Sequence, residues 1–130
     1  MIGNSMLLDT SIVIELFKGN LSVANTLVGL ETVNIPFAVL GELYLGAYRS
    51  LNPKKHIDQI SAFLTKCNIL LADSITADNY ALIKADLLTK GKPIPENDIW
   101  IAAVARQHDL ILFTKDKHFK EIGGLILEEG

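Results

Sequence analysis

Runs of consecutive apolar residues alternate along the chain with segments whose apolar positions recur at helical spacing. SMLLD (5–9) reads as a buried strand, and TSIVIELFK continues from it as a helix. LSVANTLVGL forms a second helix, and TVNIP (32–36) a second short strand. FAVLGELYLGAYRS is helical, and HIDQISAFLTK (56–66) is amphipathic with a helical period. NILLAD (68–73) is the third strand. SITADNYALIKADLLTKG is a long helix, with Ser74 as a candidate N-cap and Gly91 near its end. The prolines of KPIPEN interrupt it as a loop, and Asp98 opens the next helix. LILFT (110–114) is the fourth strand and LIL (125–127) a short fifth. Continuous apolar strands separated by helices predict a parallel sheet covered on both faces, in one domain spanning 1–130.

In such sheets ligands bind beyond the carboxyl ends of the strands, where the strand order reverses. Four carboxylates punctuate apolar sequence near such places. Asp9 ends the first strand, and Glu42 is the lone charge between Thr32 and Tyr48. Asp98 precedes IWIAAVA, and Asp116 follows the fourth strand within TKDKHF. Asp9 and Asp98 also suit simple helix caps, and Asp116 a turn. Glu42 is harder to explain that way, because a carboxylate inside an apolar helix needs a partner, such as a salt bridge to Arg49 or a lysine.

If the four converge, their charges repel. Two carboxylates ~5 Å apart cost roughly 3 kcal/mol at an effective dielectric near 20, and a divalent cation reverses that sign. An all-oxygen donor set favours Mg²⁺, with Mn²⁺ as a substitute, over Zn²⁺. His56, His108 and His118 lack zinc-site spacing, and Cys67 has no second cysteine to pair with. Thr114 suits donation of its hydroxyl hydrogen to a site carboxylate or the holding of a metal-bound water, and equally a plain capping or packing role at a strand end. Glu15, Asp73 and Asp86 are weaker candidates: Glu15 suits a solvated helix face and Asp73 the turn opening its helix.

A lone cysteine fits a reducing cytoplasm. The N-terminus lacks the basic region of a leader peptide, and residues 32–48 are too short and too interrupted to span a membrane. The formal charge of −3 argues against nucleic acid only superficially. Setting aside the four candidate ligands leaves 12 basic against 11 acidic residues, a balance of +1. Lys115, Lys117 and Lys120 surround Asp116, while Arg49, Lys54 and Lys55 follow the Glu42 helix. These six are candidate phosphate contacts.

At the four acidic positions the sequence resembles the PIN-domain ribonucleases, specifically the VapC toxins of toxin–antitoxin pairs. LLDTSIVIELFKG, VLGELYLGAYRS, PENDIWIAAVA and LILFTKDKHFKEIGGL carry the likeness, in the family's order and across nearly the full length. The resemblance matches Asp9, Glu42, Asp98 and Asp116 to the family's acidic positions and Thr114 to its hydroxyl residue. It implies a three-layer α/β/α fold with a mostly parallel sheet of four to five strands, Mg²⁺ dependence, endoribonuclease activity on an RNA substrate, a VapB-type antitoxin and a homodimer.

Two readings of other classes compete. A phosphorylation-controlled receiver domain shares the parallel sheet, an acid after the first strand, Asp73 after the third and a Thr114-Lys115 pair. Against it, only one acid follows the first strand and Glu42 has no role. A haloacid-dehalogenase-type phosphatase needs a second Asp at position 11, which is Ser11. A non-catalytic binding module would use the acids as a pocket for a partner's Arg or Lys.

Overall fold

The chain winds outward in both directions from its first strand, which therefore lies at the centre of the sheet. A computed structural model describes residues 4–130; the first three residues, read above for a leader's basic region, lie outside the described part. The strands are β1 (Ser5–Leu8), β2 (Thr32–Pro36), β3 (Asn68–Leu70), β4 (Ile111–Thr114) and β5 (Leu127–Glu129). They form a sheet in the order β3-β2-β1-β4-β5, with all four pairings parallel. Met6 stands between Val33 and Ile111, which fixes the register at the centre. Leu7 and Leu8 are fully buried, as are Ile35 and Leu112. Adjacent residues of β1 point to opposite faces, so burial of both means that both faces are covered.

The covering helices are α1 (Thr10–Phe17), α2 (Leu21–Val28), α3 (Phe37–Tyr48), α4 (Pro53–Leu64), α5 (Ser74–Lys90) and α6 (Glu96–Gln107). They make the three-layer α/β/α arrangement. None of the helices among the described residues is long and apolar enough to cross a membrane.

This strand order has a functional consequence. From β1 the chain moves one way to β2 and β3, then returns past β1 to β4 and β5. The reversal lies between β1 and β4, where a crevice opens beyond their carboxyl ends. Residues that follow β1 and β4 line it directly. Because α3 leaves β2 and α6 enters β4, the N-terminal turns of both helices also lie at this end. The same order removes the receiver-domain reading: β3, which would supply the phosphoacceptor Asp73, is an edge strand separated from β1 by β2.

Several boundaries differ from the sequence reading. Helix α6 begins at Glu96, with Pro95 at the N-cap position and no side-chain cap. Asp98 therefore neither opens nor caps the helix; it is its third residue, and its N–H bonds the Pro95 carbonyl at 3.0 Å. The cause is Pro95, whose φ of −53° is compatible with helix entry and whose carbonyl receives the first turn. Helix α5 is capped by Asp73, not Ser74: Asp73 accepts from the N–H groups of Ile75 and Thr76, and the Thr76 hydroxyl accepts from the Asp73 N–H. Gly91 ends that helix at φ 67°, a left-handed conformation that glycine adopts without penalty. Helix α4 starts at Pro53 behind an Asn52 cap, ahead of its amphipathic stretch. Strand β5 is shifted to Leu127–Glu129, set by pairing with β4 rather than by the most apolar triplet.

Candidate active site

Asp9 is the first residue past β1 and is nearly fully buried. Its Oδ1 accepts from the Ile12 N–H at 3.2 Å and from the Ser11 hydroxyl at 2.6 Å, so it caps α1. Its Oδ2 accepts from the Thr114 hydroxyl at 2.5 Å. The same Thr114 oxygen accepts from the Asp116 N–H at 2.8 Å. Thr114 thus couples the acid after β1 to the turn after β4. Ser11 provides a second link, because its oxygen accepts from the Lys115 N–H at 3.1 Å.

Helix α3 carries Glu42 at mid-length, half-buried. Its Oε1 accepts from the Thr10 hydroxyl at 3.0 Å, and among the described residues it has no ion pair with Arg49 or any lysine. Asp116 caps a 3₁₀ helix (Lys117–Glu121), accepting from the His118 N–H at 2.9 Å. That turn is anchored by fully buried Phe119. It brings His118 Nδ1 to 3.1 Å from Asp116 Oδ1 and 3.7 Å from Asp98 Oδ2.

The electrostatics report how close the acids are. The Asp98 carboxyl is pushed up to about 6, first by burial, then by repulsion from Asp116, Glu42 and Asp9, with His118 opposing. All four acidic positions singled out from the sequence are therefore within electrostatic reach of one another. Burial also raises the Asp9 carboxyl, with Asp116 adding repulsion, although hydrogen bonds from Ser11, Thr114 and Ile12 pull the other way. Asp98, Asp116 and His118 each offer a ligand atom within 4.8 Å of the others. A cation fits this donor set: it is acidic, crowded and held by second-layer hydroxyls.

A description of the PIN domain matches residues 6–125. The chain belongs to the PIN-domain family. Ribonuclease VapC2 of Haemophilus influenzae is 38% identical to it over 127 residues, covering 94% of this chain and 95% of that protein. The tRNA(fMet)-specific endonuclease VapC of Shigella flexneri is 30% identical over 95% of this chain and 96% of its own length. Among solved structures, VapBC2 from Rickettsia felis bound to a DNA fragment from their promoter superposes with a TM-score of 0.93. There the identity is 30%, with 97% of this chain and 98% of that chain covered. The three-layer fold expected from the resemblance is the fold observed.

In this PIN domain the remaining sequence candidates separate. Asp73 is occupied as a cap and also accepts from the Gln107 side chain at 2.9 Å. Asp86 pairs with Lys90 on the surface of α5. Glu15 faces Lys115 at 3.8 Å and accepts from Asn20. Lys115, Lys117 and Lys120 line a cleft of about 180 Å³ next to Thr114 and Asp116. Lys120 is paired with Glu129 and Lys54 with Asp58, both on the surface. Arg49 and Lys55 are exposed near the ends of α3 and α4. Ile12 and Leu43 belong to the core. Leu16 and Phe17 line an apolar groove of about 530 Å³ with α2 and α4, and Leu45 and Tyr48 are exposed on α3.

Sequence reasoning missed three residues. Thr10 and Ser11 orient Glu42 and Asp9, and their signal was the pair of hydroxyl residues directly after Asp9. His118 was set aside for lacking zinc spacing, yet the 3₁₀ turn folds it onto two of the acids.

Replacing Thr114 with Val tests the hydroxyl relay. The substitution removes the donor to Asp9 and leaves the Asp116 N–H without its acceptor, a loss of about 1–3 kcal/mol. Urea unfolding of T114V should show that loss, and T114S should restore most of it. Equal stability of all three proteins would contradict the relay.

Proposed function

We propose that this chain is a divalent-metal-dependent endoribonuclease and the toxin of a toxin–antitoxin pair, neutralised by a VapB-type antitoxin and acting on RNA in the cytoplasm. The observation that carries the reading is the gathering of Asp9, Glu42 and Asp116 about Asp98, whose carboxyl is pushed up to about 6 by burial first and by their repulsion second. A cluster that destabilises its own ionised form is costly unless a cation is bound there. The family membership and the ribonuclease names of its relatives support the same reading.

Asp9 and Asp98 are the proposed principal ligands of Mg²⁺, for which Mn²⁺ substitutes; Glu42 and Asp116 complete the site directly or through water. When bound, the ion supplies positive charge for the scissile phosphate and lowers the pKa of an attacking water. The chain's own groups do the rest. Thr114 and Ser11 lock the Asp9 carboxylate in one orientation. Thr10 occupies only Oε1 of Glu42, so Oε2 is available to accept the proton of the attacking water. Water as nucleophile leaves a 3′-hydroxyl and a 5′-phosphate and needs no 2′-hydroxyl. Preference for RNA must therefore come from binding, to which Lys115, Lys117 and Lys120 contribute beside Asp116, with Arg49, Lys54 and Lys55 as further phosphate contacts.

Two experiments test this. Induced expression of the chain in bacteria should arrest growth, and co-expression of its antitoxin should relieve the arrest; unimpaired growth at high toxin level would count against it. RNA affinity should fall as salt rises, on a log–log scale, with a slope that K117A reduces by about one. A flat salt dependence would remove the lysines from the substrate path. The binding-module reading predicts no cleavage under any metal condition.

A further inference from the structure

The donor set that the sequence predicted is all oxygen, but the folded chain adds a nitrogen. We propose that His118 is a metal ligand, and that it biases this site toward first-row transition ions, Mn²⁺ among them, over Mg²⁺. The inference rests on the metal-dependent reading above and concerns which ion the site prefers.

Geometry carries it. Adjacent ligands around an ion with bonds of about 2.1 Å stand about 3 Å apart, whereas opposite ligands stand about 4.2 Å apart. His118 Nδ1 lies 3.1 Å from Asp116 Oδ1, the separation of adjacent ligands, and 3.7 Å from Asp98 Oδ2. All three ligand atoms fit within 4.8 Å. The backbone that carries the ring is held by its own chain segment. Asp116 accepts from the His118 N–H, and the next residue, Phe119, is fully buried in the core. A histidine on a mobile surface loop would have no such anchor.

Chemistry gives the direction. Mg²⁺ is a hard ion that favours carboxylates and water and dehydrates reluctantly, so an imidazole adds little to its affinity. A first-row transition ion gains more from a nitrogen donor. Nδ1 faces the same two carboxylates that would hold the ion. The opposing reading is that His118 serves as a counter-charge: an imidazolium that pairs with Asp116 and is displaced by metal. The two make opposite predictions for removal of the ring.

The test is calorimetric titration of the full chain, freed of antitoxin, with Mn²⁺ alone and with Mg²⁺ alone, for wild type and H118A. Pulsed EPR of the Mn²⁺-loaded proteins accompanies it. The expected result is that H118A weakens Mn²⁺ about tenfold or more and Mg²⁺ by less than about threefold, in line with the loss of a metal-site partner. A nitrogen coupling should be present in the wild-type Mn²⁺ spectrum and absent in H118A. Equal losses for both ions without a nitrogen coupling, or tighter binding of both by H118A, would overturn the ligand role while leaving the metal site intact. Failure of wild type to bind either ion would overturn the metal-dependent reading, and this inference with it. His118 is half exposed, so H118A is expected to fold, and thermal unfolding of the metal-free variant checks that directly.

Discussion

Changing Asp98 to Asn should reduce metal-dependent RNA cleavage by at least about 10³-fold, because a metal-held charge supplies several kcal/mol to the transition state. The same substitution should make the metal-free protein more stable. Asp98 is crowded by Asp116, Glu42 and Asp9, and a neutral amide of the same shape relieves that repulsion. The combination is diagnostic. A residue whose role is structural loses stability when replaced, whereas a residue held in a strained, functional arrangement gains it while losing activity. D9N should lose activity to a similar degree, with no comparable gain in stability, because the Asp9 carboxylate is satisfied by Ser11, Ile12 and Thr114. Activity within tenfold of wild type in both purified variants would remove these acids from the mechanism.

The second large effect is a dependence of stability on pH that metal abolishes. In the folded protein the Asp98 carboxyl sits at about 6, above its ordinary value of 3.8. The unfolded chain releases this proton more readily than the native one. The contribution to stability is therefore complete below about pH 4 and is lost as pH rises through 6. From 3.8 to about 6 the difference corresponds to roughly 3 kcal/mol. The raised carboxyl of Asp9 adds in the same direction. Asp73, Glu96 and Glu129 are held below their ordinary range by hydrogen bonds, so their opposite contribution falls below the window between pH 5 and 7. In EDTA, then, the melting temperature should rise as pH falls from 7.5 to 5.5, a window in which Asp98 gains roughly 0.8 kcal/mol of that difference, or about 3 °C for a chain of this size. Mg²⁺ at about 100 times its dissociation constant should add roughly 2.7 kcal/mol at pH 7.5 and much less at pH 5.5, where a proton competes for Asp98. D98N should flatten both curves. A melting temperature that instead falls between pH 7.5 and 5.5 in EDTA would show that the crowding is not felt.

Much of this site was legible before folding, for reasons particular to each residue. Asp9 and Glu42 stood out because a charge inside apolar sequence has few inexpensive explanations. The parallel sheet was legible because both faces of β1 and β4 are buried, so their apolar runs are continuous. The strand order was not legible, and it is the order that places β1 beside β4 and so brings Asp9 to Thr114. Asp98 was expected to open its helix and instead stands third in it. Its N-cap preference is real, yet Pro95 enters the helix first and leaves Asp98 free to face the other acids. Helix α4 carried its own signal in Asn52-Pro53, a cap followed by a favoured first residue, which the amphipathic stretch beginning at His56 concealed. His118 could not be found by spacing, since its approach to Asp98 depends on a 3₁₀ turn pinned by Phe119.

The measurement that bears most directly on the proposed nuclease is cleavage of total cellular RNA by the purified, antitoxin-free chain. It should be run with Mg²⁺, with Mn²⁺ and with EDTA, with D98N in parallel. Discrete fragments carrying 5′-phosphates should appear with either ion and vanish with EDTA or with D98N. Identical fragments from D98N, or cleavage that persists in EDTA, would contradict it.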